Sequence, residues 1–350
     1  MTRTRRQRED SVWRWVEAAR TISKRRDLHT WAIAQSAQLS PEGVDLALDH
    51  ALEIDPSQAE VELLVASTTE ASSVTIVLSA NVFTAPLRAI ALAKAAAETV
   101  VVKPSRRDPL FTRLLSEYAR DPHVSLVNKI DFKDTKAAEI HAYGNDTTLR
   151  AIAGELPTNI AFRAHGSGFG IAYIDPNAPI GEAAQALSRD IVLFDQRGCL
   201  SPRIAFVLGG AAHAEAFANA LSDALAPWSV RVPRGPLHDE ARAEIRQYLD
   251  AMHMSGLLLE ASDHAVACSN HVALPPAFRI VQVVHANTPE AIGASLGSLG
   301  SFVTTVGCHG DPPEMRSLAL LRRRAALGMM QSPSFDGPVD PRRWPPSTLT

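Results

Sequence analysis

The chain has 350 residues, 46% of them hydrophobic and 21% charged, with 19 glycines and 23 prolines. At ~150 residues per domain this makes roughly two domains with a large core, and it excludes collagen-like, low-complexity and wholly disordered classes. The formal net charge of −3, from 35 basic and 38 acidic residues, gives no global electrostatic case for a nucleic-acid or membrane-surface partner. The first sixty residues read as helical. Nine Lys or Arg fall between Arg3 and Arg26, interleaved with Trp13, Trp15, Ala18 and Ala19. Such a basic helix could meet duplex DNA; the preferred reading is a solvated arm beside a small helical packing unit. Leu28–Leu52 has helical spacing, with a start signal at Ser40-Pro41-Glu42-Gly43.

After Glu60 strands and helices alternate. Ser73–Ala80 is a β-branched run fit for a buried strand, Pro86–Ala97 an Ala-rich helix, and Thr99–Val102 a strand ending at Lys103-Pro104. Leu110–Arg120 is a helix, Val124–Asn128 a third strand and Thr147–Ala153 a helix. A second such series follows: strand Ile171–Ile174, helix Ile180–Ser188, strand Arg203–Leu208, helices His213–Leu225 and Pro236–Met252, strand Ile280–Val284, helix Pro289–Ser295 and strand Phe302–Val306. The tail from Gln331, rich in proline, is expected to lack regular structure. This order predicts an α/β protein with parallel sheets and right-handed crossovers, whose ligands bind at the carboxyl ends of strands.

Two segments carry candidate chemistry. In Asp195-Gln196-Arg197-Gly198-Cys199-Leu200-Ser201-Pro202 a cysteine sits in a short polar turn between apolar elements, where a core cysteine would have apolar neighbours. Gly198 would let the backbone approach a ligand. Cys199 is therefore a candidate nucleophile, with Cys268 and Cys308 not excluded. In the other segment Asn81 follows one strand end and Lys103 the next, so both fall on the same sheet edge. An amide there can donate to a developing oxyanion and a lysine can hold a ribose or phosphate. The plain alternative is an Asn turn and a solvated lysine. Cys268, His271, Cys308 and His309 are zinc-type residues, but their spacing matches no strong zinc motif and no metal is assigned.

Together these segments resemble the aldehyde dehydrogenase superfamily. The carriers are Asn81 before an Ala-rich helix and the Val-Val-Val-Lys-Pro-Ser strand end, Tyr143-Gly144-Asn145-Asp146-Thr147-Thr148, the Gly-rich Arg163–Gly170, and Gln196-Arg197-Gly198-Cys199. Within it the chain is similar to the acyl-CoA reductases, including the fatty-acyl reductase of bacterial bioluminescence. The likeness lies in Phe194–Pro202, Leu39-Ser40-Pro41-Glu42-Gly43-Val44, and the Arg-rich helix leading to Asp336-Gly337. The resemblance implies a helical N-terminal segment (1–60), a Rossmann-type NAD(P)-binding domain (61–160), a catalytic thiol domain (161–312) and a C-terminal helix and tail (313–350).

It also implies roles. Cys199 attacks a thioester, Asn81 holds the oxyanion, and Lys103, Ser105, Arg106, Gly144 and Asn145 bind the cofactor. Two departures sharpen this. Hydrolytic relatives place a Glu near the Gly-rich turn to activate water, but no acid lies between Ile160 and Tyr173, where His165 stands instead. His165 either assists proton transfer or caps the turn. Without a base to drive deacylation by water, an acyl-enzyme persists until hydride reaches it, favouring reduction of an acyl-CoA or acyl-carrier thioester to aldehyde. Arg106, with Arg107 beside it, stands where NAD-preferring relatives have Glu, which points to NADPH with NADH as the alternative. A solvated arginine pair is the plain reading.

The competing readings are an acyl-phosphate reductase and a non-catalytic nucleotide- or partner-binding subunit. A homo-oligomer or an aldehyde-consuming partner enzyme is compatible with the resemblance. Three cysteines are too few for a disulfide framework, which fits a reducing cytoplasm. No apolar run reaches the ~18–20 residues of a membrane span, and the N-terminus lacks a signal-peptide core.

Overall fold

The first helix, α1 (Arg5–Lys24), starts at Thr4, whose side chain accepts the Gln7 N–H while the Gln7 side chain accepts the Thr4 N–H. Helices α2 (Arg26–Ala37), α3 (Pro41–His50) and α4 (Gln58–Ser67) follow. The computed structural model describes residues 3–310, 322–342 and 344. These divide into two units, one of Met1–Ala37, Ala47–Ser167 and Ser334–Gly337, the other of Gln38–Leu46, Gly168–Pro333 and Pro338–Thr350.

In the first unit, β1 (Ser73–Val77), α5 (Ala85–Ala96), β2 (Thr99–Lys103), α6 (Leu110–Ala119), β3 (Val124–Leu126), β4 (Glu139–Tyr143), α7 (Asp146–Glu155) and β5 (Ala161–His165) follow in sequence. The five strands form one parallel sheet in the order β3-β2-β1-β4-β5. The chain works outward from β1 to β3 and returns to β4 on the other flank of β1. That reversal makes a crevice at the carboxyl edge between β1 and β4. β5 belongs to this sheet, pairing Tyr143 with His165, although the sequence reading puts residues from 161 onward in the catalytic domain.

The N-terminal helix is not a solvated arm. Val12, Trp15, Val16, Ala19 and Ile22 recur at helical spacing and are fully buried, and α1 packs on α4, α5 and α6. One of its basic residues, Arg8, is buried and structural. The Arg8 guanidinium donates to Ala95 O at 2.6 Å, Val65 O at 2.9 Å and Thr68 O at 2.6 Å. It thereby caps the carboxyl ends of α4 and α5, where helices leave carbonyls without intrahelical donors. Lys94 and Asp121 form a buried pair at 3.0 Å, and Trp15 Nε1 donates to the same carboxylate. Arg8→Met leaves these carbonyls stranded and is expected to cost roughly 2–4 kcal/mol, read as a lower urea midpoint. A change below ~0.5 kcal/mol, the usual range for a surface substitution, would show that Arg8 is dispensable.

In the second unit, β6 (Phe169–Ile174), α8 (Ile180–Val192), β7 (Pro202–Leu208), α9 (Ala211–Arg231), α10 (Asp239–His253), β8 (Leu257–Glu260), β9 (Ala265–Ser269), β10 (Ile280–Ala286), α11 (Pro289–Leu296), β11 (Val303–Cys308) and β12 (Arg323–Ala326) form a seven-stranded sheet. Its order is β12-β11-β6-β7-β10-β9-β8, parallel except for β8 at one edge. The inner strands β6 and β7 are apolar on both faces because both are covered. Ala172, Ile174, Ala205, Val207 and Val283 pack with α8 and α9, while Ile171, Tyr173, Ile204, Phe206 and Val284 pack on the other face with α11. Cys268 lies in the first of these cores and Cys308 in the second, so the considered zinc set is split by the sheet.

Five strands, β4, β5, β8, β9 and β12, are not named as strands in the sequence reading. The C-terminal helix falls partly on residues 311–321, outside the described residues; Arg323–Ala326 next to them is a strand paired with β11. Among the described residues, no helix is long and apolar enough to cross a membrane.

Candidate active site

The turn carrying Cys199 is built from residues that pay for their conformation. After α8 the chain enters the left-handed region for three residues, Phe194 (φ 56°), Asp195 (φ 49°) and Gln196 (φ 62°), none of them glycine. Each such residue costs roughly 1–2 kcal/mol and persists only where its surroundings over-determine it. Gln196 is fully buried and donates from Nε2 to Pro202 O at 2.6 Å, closing the turn around Cys199. Ser201 N donates to Gly198 O at 3.1 Å. Thr304 Oγ1 on β11 donates to the Cys199 carbonyl.

The Gly-rich motif has a packing reason. Gly170 N donates to Ser201 O at 2.8 Å, and a Cβ on Gly170 would lie 2.5 Å from Leu200 O and 2.7 Å from Met330 Cε. A Cβ on Gly168 would meet Thr304 Cγ2, Arg342 Nη2 and Phe302 O. Strand β6 therefore runs directly against the turn bearing Cys199 only because both positions lack side chains.

Cys199 is the one cysteine of three that is not buried. Although the residue keeps some exposure, protein surrounds its thiol, and burial pushes its pKa up to about 11. Asp340 raises it further, and Arg342 and Arg323 oppose. Asp340 and Arg342 pair at 2.6 Å, and Arg342 Nη1 donates to Ser301 O at 3.1 Å. The resting thiol is thus protonated near neutral pH, when the thiolate is the nucleophile. Asp340→Asn is expected to lower the thiol pKa and Arg342→Met to raise it. The alkylation rate at pH 8 should rise and fall respectively by roughly 3- to 10-fold. Identical midpoints in a pH series of Cys199 alkylation would contradict this. Both residues sit in a proline-rich tail with no motif to single them out.

In the first unit, the remaining sequence-derived candidates gather along the carboxyl edge of the sheet. Asn81 follows β1, is exposed, and adopts φ 95°. No side-chain partner of its amide occurs among the described residues. Lys103 ends β2; burial lowers its pKa, and Arg106 lowers it further. Ser105 is buried and its Oγ accepts the Arg107 N–H at 3.3 Å. Arg106 and Arg107 are exposed, and among the described residues Lys103, Arg106 and Arg107 have no carboxylate partner.

Gly144 follows β4, and its N–H donates to His165 O at 3.2 Å. Asn145 caps α7, its Oδ1 accepting Thr148 N at 2.8 Å, which leaves its amide N–H to be offered. Asp146 adds negative charge to that first turn, which suits a hydroxyl better than a pyrophosphate. His165 ends β5, half-buried and stacked flat on Tyr143 with centroids 4.4 Å apart.

A family model described as Acyl-CoA reductase (LuxC) matches residues 45–334. A search of curated proteins returned no match. Among solved structures, an oxidoreductase from Marinobacter aquaeolei superposes with a TM-score of 0.78 at 13% identity, covering 95% of this chain and 80% of its own. Methylmalonate-semialdehyde dehydrogenase (DddC) from Oceanimonas doudoroffii gives 0.74 at 15% identity, covering 95% and 79%. NADP-dependent glyceraldehyde-3-phosphate dehydrogenase from Bacillus halodurans gives 0.67 at 12% identity, covering 93% and 78%. At such identities these superpositions establish the fold alone, that of the aldehyde dehydrogenases. With the family model spanning most of its length, the chain belongs to the acyl-CoA reductase (LuxC) family and is an enzyme that reduces an acyl group to an aldehyde.

Proposed function

We propose that this enzyme reduces an acyl thioester, carried by CoA or a carrier protein, to an aldehyde with NADPH through an acyl-enzyme on Cys199. The observation that carries the reading is the placement of Cys199: it alone of the three cysteines keeps partial exposure as a residue, in a turn fixed by Gln196 and Thr304. The thiolate attacks the thioester carbon, and the tetrahedral oxyanion takes a hydrogen bond from the Asn81 amide. Collapse breaks the bond to the carrier sulfur, which leaves as a thiol with the proton that Cys199 gives up on attack. When bound, the reduced nicotinamide supplies the hydride that turns the acyl-enzyme carbonyl into an aldehyde and frees Cys199. His165, held by Tyr143, is assigned to proton transfer.

The strand end after β2 fits a phosphorylated cofactor, because Lys103, Arg106 and Arg107 are cations without carboxylate partners among the described residues. Lys103 and Ser105 would serve the adenosine ribose and Arg106 a 2′-phosphate, with Gly144 and the Asn145 amide at a further hydroxyl. The Bacillus halodurans structure named above is of an NADP-dependent enzyme. The aldehyde product is reactive, so an aldehyde-consuming partner is its natural recipient. Three free thiols suit a reducing compartment such as the cytoplasm. Arg106→Glu tests the cofactor assignment. The KM for NADPH should rise at least ~10-fold while that for NADH stays within ~3-fold. An unchanged NADPH KM would remove Arg106 from the site.

A further inference from the structure

Backbone strain in the described chain is concentrated in one place. Of eight non-glycine residues with positive φ, six lie in the second unit and form one knot: Gln38, Phe194, Asp195, Gln196, Phe278 and Arg279. At its centre is a buried ion pair. Asp195 Oδ1 accepts from Arg279 Nε at 2.9 Å and Nη2 at 2.7 Å, with both side chains at most 3% exposed. Asp195 Oδ2 accepts the Gly235 N–H at 2.9 Å, and the Asp195 carbonyl accepts the Phe278 N–H at 2.9 Å. Arg279 Nη1 reaches Val232 O at 2.8 Å and Asp263 Oδ2 at 3.1 Å. Arg197 Nη2 donates to Gln38 O at 3.3 Å.

Two left-handed segments, each costly alone, thus face each other and are tied by charge and by backbone. One of them is the turn that presents Cys199, four residues after Asp195. A planar guanidinium presents five donors in a rigid fork and so grips several segments in fixed geometry, where a lysine offers only a flexible point charge. A nucleophile displaced by about 1 Å loses about 10²-fold in rate. We propose that Asp195 and Arg279 are positioning residues: their ion pair clamps the left-handed turn and so sets the rate of acyl transfer to Cys199 without touching substrate. This rests on Cys199 being the nucleophile.

The test compares full-length Arg279→Met, Arg279→Lys and Asp195→Asn with the natural chain. Circular dichroism and NADPH fluorescence report folding. Acylation is followed as a single turnover with octanoyl-CoA by intact mass, and Cys199 alkylation by iodoacetamide through peptide mass. Arg279→Met should acylate about 10²-fold more slowly, with the KM for octanoyl-CoA changed less than ~3-fold, and Arg279→Lys should recover about 10-fold of the loss. The Cys199 alkylation rate should shift at least ~5-fold while Cys268 and Cys308 do not respond.

A folded Arg279→Met that acylates and alkylates at natural rates overturns the clamp. If Arg279→Met does not fold, Asp195→Asn and Arg279→Lys carry the same comparison. If the natural enzyme forms no adduct on Cys199, the nucleophile assignment fails, and the alkylation rates alone decide whether the pair holds the turn.

Discussion

Cys199→Ala is expected to abolish aldehyde formation, lowering the rate at least ~10⁴-fold, because no second group can form the covalent intermediate. Cys268 and Cys308 are no substitutes: both are buried residues in the two cores that flank the seven-stranded sheet. NADPH binding should survive in the variant, since Lys103 and Arg106 lie in the first unit. Acyl-CoA with NADPH, followed by loss of absorbance and by aldehyde, gives the readout. Residual turnover within ~10-fold of the natural enzyme would end the covalent account.

Asn81→Ala is expected to lower kcat by ~10²–10³-fold, about 2.7–4 kcal/mol of barrier, the usual loss on deleting one oxyanion donor. KM should move little, since the bond strengthens as charge develops in the transition state. Asn81 has the features for this: an exposed amide just past a strand end, with a left-handed φ that Asn tolerates better than most residues. Asn81→Asp should lose as much, because a carboxylate repels an oxyanion. A kcat loss below ~3-fold in both variants would reassign Asn81 to a turn.

In the first unit β1 and β2 are legible in the sequence as continuous β-branched runs, whereas Glu-Ile-His-Ala-Tyr (β4) and Ala-Phe-Arg-Ala-His (β5) mix polar and apolar residues and carry no such signal. Ser-Val-Thr-Ile-Val and Thr-Val-Val-Val-Lys became β1 and β2, and Ser40-Pro41 opened α3. Asn81, Lys103 and Asn145 then fall on one edge as a consequence of parallel order. The N-terminal helix was misread because its charges hid an apolar stripe from Val12 to Ile22 and because Arg8 serves carbonyls far along the chain.

Strand β12 carries no apolar alternation; Arg-Arg-Ala-Ala is extended because β11 offers it an edge. The hairpin β8–β9 is a short edge element whose pairing comes from tertiary context. The left-handed turn before Cys199 contains no glycine or asparagine to signal it; Arg279, 84 residues away, supplies the partner that holds it. Asp340 and Arg342 were invisible for the same reason, since only folding brings them near the thiol.

The most direct measurement is the mass of the intact natural enzyme after mixing with octanoyl-CoA and no reductant. The account predicts one added octanoyl group, mapped to the peptide bearing Cys199 and discharged as octanal when NADPH is added. No adduct, or an adduct on Cys268 or Cys308, would contradict it.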